Sequence, residues 1–170
     1  MTEPRIRPRR DDDMGSCVEA LATVHEADRY PVAWPADPAG WLTPDGLLGA
    51  WVAVDGPRVL GHVALTRTGD ALAVLAGRPA AELASVSRLF ATATARRRGV
   101  AGALLAAAVR AAENDGLWPV LEVEDGGRAA VALYERSGWR RMGSRPGDWT
   151  TPDGRAALLH AYAAPPVVTP

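Results

Sequence analysis

Residues 85–114 read as a strand, a short turn and a helix in immediate succession, and no other stretch restricts the fold as much. In SVSRLFATA (85–93) Val86 alternates with Ser85 and Ser87, the period of a strand with one buried face. The turn RRRGVAG (96–102) follows, three arginines running into small residues. From about Arg98 to Asn114 the apolar spacing becomes three and four, with Val100, Leu104, Leu105, Ala108, Val109 and Ala112 on one stripe. Asn114-Asp115-Gly116 stops the helix, and WPVLEVE (118–124) begins another strand. A helix held between two strands packs its stripe on a sheet, so the chain is committed to mixed α/β layers.

The rest of the chain supplies the remaining layers. RIRP near the start is a short strand. DDDMGSCVEALATVHEA (11–27) is a helix whose acids favour its first turn, with Met14, Cys17, Val18, Leu21 and Val24 on one face. The Pro- and aromatic-rich residues 28–46 form a loop with one helical turn at 38–42. LLGAWVAV (47–54) and RVLGHVALT (58–66) make a hairpin around Asp55-Gly56-Pro57. Residues 68–84 are ambiguous, with Leu72, Val74 and Leu75 able to form a helical turn ended by Gly77 and Pro79. A helix at 126–138, a strand at 139–145 and a strand at 155–164 complete the order. We expect one domain with a core over residues 4–163 and a tail at 164–170.

Composition limits the partners. Among 170 residues the formal net charge is -1, so the arginine run is a local feature and not part of a basic protein. Every basic side chain apart from three histidines is arginine. Nucleic acid is not an expected partner. Cys17 is the only cysteine, so there is no disulfide framework, and its place on the apolar stripe makes it a small core hydrophobe. His25, His62 and His160 lack metal-ligand spacing, and no metal is expected. No apolar run reaches the length of a membrane span, and no signal peptide precedes the first strand, so a cytoplasmic location is expected.

What RRRGVAG can do follows from helix ends. The first N–H groups of a helix have no intrahelical partner and carry the positive end of the dipole. Gly99, Ala101 and Gly102 present no bulk, so a phosphate can approach those amides, with arginine forks adding charge. The spacing is neither a dinucleotide fingerprint nor G-x-x-x-x-G-K-S/T. Taken alone, the stretch is equally an anion site or a solvated arginine cluster ahead of a core helix.

Two motifs together carry a resemblance. Arg96-x-x-Gly99-x-Ala101 resembles the Q/R-x-x-G-x-G/A signature of the GNAT superfamily of acetyl-CoA-dependent N-acetyltransferases. Ala130-x-x-Leu133-Tyr134-x-x-x-Gly138-Trp139 resembles that family's A-x-x-L-Y-x-x-x-G-F, with Trp for Phe. The resemblance extends over nearly the whole chain. It implies the GNAT fold: one mixed, mostly antiparallel sheet with helices on both faces and a splayed pair of central strands, here SRLFA and WPVLEVE. It implies acetyl-CoA as coenzyme. The pyrophosphate would lie on Arg96, Arg97, Arg98, Gly99, Val100, Ala101 and Gly102, and the pantetheine arm would pair with Leu89, Phe90 and Ala91. Tyr134 would be the general acid for the leaving thiolate and a coenzyme contact; by its spacing alone it is equally an amphipathic core residue on the stripe with Ala130, Val131 and Leu133. The Ala91 N–H or its neighbour would stabilise the oxyanion. The reaction implied is direct attack of a primary amine, on a small molecule or a peptide, by a monomer or homodimer.

The sequence departs from the family in two places. A glutamate that often acts as base falls near Ser85, with Ser87 next on that face, and serine cannot take the role. Glu82, Glu122 and Glu124 are the nearby carboxylates; an acceptor amine of low pKa would need none. Gly127 stands where many members carry an asparagine that binds the pantetheine arm, so the coenzyme contact there would be through backbone. For the acceptor, either Asp28 among Tyr30 and Trp34 holds a cationic amine, or Trp34 and Trp41 cap the core and Asp28 caps a turn; Glu82 is a further acceptor contact and could serve as base through water. The alternative function is a GNAT-fold protein that binds an acyl-CoA without transferring the acyl group.

Overall fold

A computed structural model describes residues 3–166, so the last four residues of the expected tail lie outside the described part. Seven strands form one sheet in the order β1-β2-β3-β4-β5-β7-β6: β1 (Arg5–Pro8), β2 (Leu47–Asp55), β3 (Arg58–Arg67), β4 (Leu83–Ala91), β5 (Trp118–Glu124), β6 (Arg140–Thr150) and β7 (Ala156–Ala163). Five helices accompany them: α1 (Met14–Asp28), α2 (Pro38–Trp41), α3 (Asp70–Ala76), α4 (Val100–Asn114) and α5 (Arg128–Arg136). β4 and β5 run parallel, with Leu83 opposite Trp118, Ala84 opposite Pro119 and Ser85 opposite Val120. β1–β2, β2–β3, β5–β7 and β6–β7 are antiparallel. This is the mixed, mostly antiparallel arrangement expected.

The chain divides into two compact units. One comprises the residues through Thr66 together with Val86–Ala111; the other comprises Arg67–Ser85 and the chain from Ala112 onward. In the first, α1 buries Cys17, Ala20, Leu21 and Val24 against Val52, Val54, Val59, Leu42 and Phe90. A fully buried leucine such as Leu21 contributes roughly 1.5–3 kcal/mol. Gly61 on β3 permits close packing there. A Cβ at that position would lie 2.8 Å from Leu104 Cδ1 and 2.9 Å from the Phe90 carbonyl oxygen. In the second unit, Leu72 and Ala73 of α3 pack with Leu83, Val120, Ala161 and Ala163.

Several boundaries differ from expectation. The three aspartates form a 3₁₀ turn ahead of α1 and not its first turn. Asp13 is drawn off by Arg7, which donates to its two carboxylate oxygens at 2.7 and 2.8 Å. That pairing holds the Asp13 carboxyl at about 2, well below its ordinary value. The ambiguous segment is helical in α3, but only part of its apolar set is core: Leu72 is buried whereas Val74 is 78% exposed. β4 begins at Leu83, two residues before the alternation becomes visible. α4 begins at Val100 and not near Arg98, because Arg97 and Gly99 have positive φ (64 and 72°) that a helix cannot continue through. α5 covers Arg128–Arg136, shorter than the expected 126–138. β6 continues to Thr150, so SRPGDWT is strand, held to β7 by pairs as far as Thr150–Ala156.

Candidate functional site

In the first unit the strand–turn–helix segment is continuous. Phe90 is buried, while Leu89 and Ala91 are half-buried. The Thr92 N–H donates to the Leu60 carbonyl at 2.9 Å, keeping the end of β4 on β3. A 3₁₀ turn (Ala93–Ala95) leads into Arg96–Gly99, and the first α4 ladder bond runs from the Ala103 N–H to the Gly99 carbonyl at 3.0 Å. The N–H groups of Val100, Ala101 and Gly102 therefore precede the ladder, as the ends of helices require. Alternating backbone sign at Arg97 and Gly99 is the geometry that makes successive N–H groups converge into an anion-binding concavity. Val100 is buried at its side chain and can offer only backbone. No heavy atom lies within 4 Å of a Cβ built on Gly99 or on Gly102. Gly99 is required by its φ, whereas Gly102 is constrained by nothing in the chain itself.

The arginines of this turn are not equivalent. Arg96 and Arg97 are exposed and Arg98 is half-buried. Arg96 is ion-paired to Asp28, the last residue of α1. The acidic residue expected to meet an amine is thus engaged by an arginine of the turn before α4. Tyr30 is packed edge-on against Trp41 with centroids 5.8 Å apart, and desolvation pushes its phenol up to about 12. Trp34 is 40% exposed and tilted against His25.

Arg88, inside β4, was not legible in the sequence. Its φ is 54°, a left-handed value in mid-strand, and it breaks the side-chain alternation at that point. Its Nε donates to the Trp41 carbonyl at 2.9 Å and its guanidinium lies 4.0 Å over the Trp41 ring. His62 is wholly buried, flat against Phe90 at 5.5 Å. Its Nδ1–H donates to the Arg88 carbonyl at 2.9 Å, and its Nε2 accepts from Arg9 at 2.9 Å. Burial, as the largest cause, lowers the imidazole to about 4, which keeps it neutral in this arrangement. Beside Arg88, the Ser87 hydroxyl is buried without a hydrogen-bond partner, the one such side-chain atom among the described residues.

In the second unit Tyr134 is buried on α5, with its ring 5.9 Å from Trp139 and 6.2 Å from Tyr162. The carboxylates considered as bases are mostly engaged. Glu122 accepts from Arg145 at 2.6 and 2.9 Å, and Glu124 accepts from the Gly126 N–H at 2.7 Å. Glu82 is exposed in a 3₁₀ turn. Ser85 is bonded to Thr68 at 2.8 Å. Gly127 has a local explanation: a Cβ there would meet the Glu124 carbonyl oxygen at 3.2 Å and Val123 Cγ2 at 3.3 Å. Its N–H donates to Glu124 and its carbonyl accepts from Val131, both at 2.9 Å. A backbone contact to a coenzyme there falls to the carbonyl, which keeps a second lone pair, because the N–H is already used. The described residues hold no cluster suited to a metal, and no helix long and apolar enough to cross a membrane.

Comparison with known proteins agrees with this architecture. The model of the acetyltransferase (GNAT) family matches residues 16–139, most of the chain, and the chain belongs to that family. An N-acetyltransferase related to GCN5 from Kribbella flavida superposes with a TM-score of 0.70 at 24% identity, covering 96% of this chain and 98% of its own. Arabidopsis thaliana NAA60 in complex with acetyl-CoA gives 0.72 at 18% identity, with coverage of 94% and 97%. The ribosomal-protein-alanine N-acetyltransferase of Brucella melitensis gives 0.70 at 19%, with coverage of 94% and 98%. No curated protein matches the sequence.

Proposed function

We propose that this acetyltransferase moves an acetyl group from acetyl-CoA to a primary amine by direct attack on the thioester. The observation that carries the reading is the turn before α4. Positive φ at Arg97 and Gly99, the leading N–H groups of α4 and the exposed Arg97, with Arg96 beside it paired to Asp28, together suit a pyrophosphate. The buried, unpartnered Ser87 hydroxyl on the strand proposed to carry the pantetheine arm supports a ligand there as well.

Bound acetyl-CoA supplies an activated thioester carbonyl. The Arg96–Gly102 turn holds its pyrophosphate, and Leu89, Phe90 and Ala91 hold the arm by strand addition. The Ala91 N–H donates to the oxygen as charge develops there, since the Thr92 N–H is already given to Leu60. Tyr134 gives its phenol proton to the departing sulfur, a transfer from a group near 10 to one near 8.5 in ordinary water, slightly uphill and workable when positioned. Glu122 and Glu124 are engaged, so the acceptor amine arrives neutral or loses its proton through water, with the exposed Glu82 the remaining carboxylate. The acceptor is a small-molecule or peptide amine.

The test is release of free thiol from acetyl-CoA over a panel of amines and N-terminal peptides, beside a thermal shift with coenzyme alone. A ligand at a hundredfold over its Kd stabilises by about 2.7 kcal/mol. Absence of any shift at millimolar acetyl-CoA refutes coenzyme binding. A shift without turnover on any amine favours the second reading, a coenzyme-binding protein that transfers nothing, which the engaged Glu122, Glu124 and Ser85 support.

A further inference from the structure

His160 on β7 is buried at 5% exposure, and both of its ring nitrogens are in use. Nε2 lies 2.6 Å from Asp125 Oδ1, in the turn that follows β5. Nδ1 lies 2.7 Å from Ser144 Oγ, directly across the β6–β7 ladder. A carboxylate can only accept, so Nε2 carries the proton and donates to Asp125. In the neutral ring Nδ1 is then bare and accepts from the Ser144 hydroxyl. Ser144 is an exposed residue, so the relay reaches the surface at that end. The hydrogen bond from His160 is the first of the influences that hold the Asp125 carboxyl below its usual range, and Arg155 and Arg141 add to it by charge. A nucleophile, a base in contact with it and an acid residue orienting the base are the three parts of an activated serine, recognised by roles and not by chain order.

We infer that Ser144, His160 and Asp125 form an esterase-type centre in which Ser144 takes an acyl group from an activated ester, independently of the amine acetylation proposed above. Ser144 Oγ attacks the ester carbonyl carbon and its proton passes to His160 Nδ1. The Oγ–C bond forms, the ester C–O bond breaks, and His160 returns the proton to the leaving alkoxide. Water then attacks the acyl-serine with His160 again as base. The carboxylic acid leaves and the proton returns to Ser144, so nothing is oxidised or reduced. Asp125 steadies the imidazolium formed in each half. Arg141, which donates to the Tyr162 hydroxyl at 3.0 Å, lies near both Glu135 and Asp125, and its charge offsets theirs.

The experiment uses the full chain with p-nitrophenyl acetate and no coenzyme. It follows p-nitrophenolate release and maps acetyl mass onto peptides. The expected result is acetyl on the Ser144 peptide, and a rate about a hundredfold lower in Ser144→Ala, the low end of what general-base catalysis contributes. His160 is buried and its variants can misfold, so Asp125→Asn, whose side chain is half-exposed, serves as the second probe. It retains the fold and lowers the rate at least tenfold. An unmodified Ser144 peptide, or equal rates in the parent and both variants, overturns the inference and leaves His160 as a pin between β7, β6 and the turn after β5.

Discussion

Gly102 is the third residue of α4, and a Cβ built on it meets no heavy atom within 4 Å. Gly102→Ala therefore leaves the fold intact, and the lower backbone entropy of alanine stabilises it by as much as about 0.5–1 kcal/mol. For a domain of this size that raises the melting temperature by roughly 1–4 °C. If the coenzyme pyrophosphate rests on the leading N–H groups of α4, the new methyl stands between ligand and amide. Loss of one hydrogen bond to a charged group costs about 1.5–3 kcal/mol, or roughly ten- to a hundredfold in Kd. The two effects have opposite signs. Scanning calorimetry without ligand should show an unchanged or higher melting temperature, and titration calorimetry with acetyl-CoA should show the weakened binding. An unchanged Kd refutes the placement of the pyrophosphate. Gly99→Val is the contrast: at φ 72° a branched side chain strains the backbone by about 1–3 kcal/mol, so stability and binding fall together.

Tyr134→Phe should lower turnover while acetyl-CoA affinity changes little; unaltered turnover removes the phenol from the chemistry. Gly61→Ala should cost about 1–3 kcal/mol by urea unfolding, because the Phe90 carbonyl cannot give way as a flexible side chain would. His62 stays neutral in the folded protein down to about pH 4, whereas an unfolded histidine takes a proton below about 6.5. The unfolded chain binds more protons in that window, so stability falls as pH drops from 6.5 toward 4, by about 3 kcal/mol in all. In His62→Gln the fall over that range should shrink by that amount, and equal slopes in both proteins count against the burial argument.

The legible parts of the site were those set by local backbone chemistry. Small residues at Gly99, Ala101 and Gly102 after a strand and before an apolar helix mark the turn without any tertiary information. The less legible parts have structural causes. Arg88 looks like an ordinary strand residue, because its left-handed φ depends on Trp41 and His62, distant in sequence, holding its side chain and carbonyl. The Ser144–His160 pair depends on register, and irregular pairing between Arg141 and Gly143 shifts that register away from simple alternation. Glu122 and Glu124 read as two carboxylates on one face, but their availability was decided by Arg145 and the Gly126 N–H.

By itself, then, the chain determined its alternation of strands and helices, the stripes that α1 and α4 bury, and the glycine turn that precedes α4. Each follows from periodicity or from the backbone freedom of one residue type, and both are local properties. The tertiary structure decided which charges are already paired, such as Asp28 with Arg96 and Asp13 with Arg7. It also decided that Gly127 is packed against Glu124 and Val123, and that a buried histidine links Ser144 to Asp125. The Asp28–Arg96 pair and the Ser144–His160–Asp125 chain join residues far apart in sequence, whereas the Asp13–Arg7 pair and the packing of Gly127 are nearer neighbours whose geometry the fold still has to set.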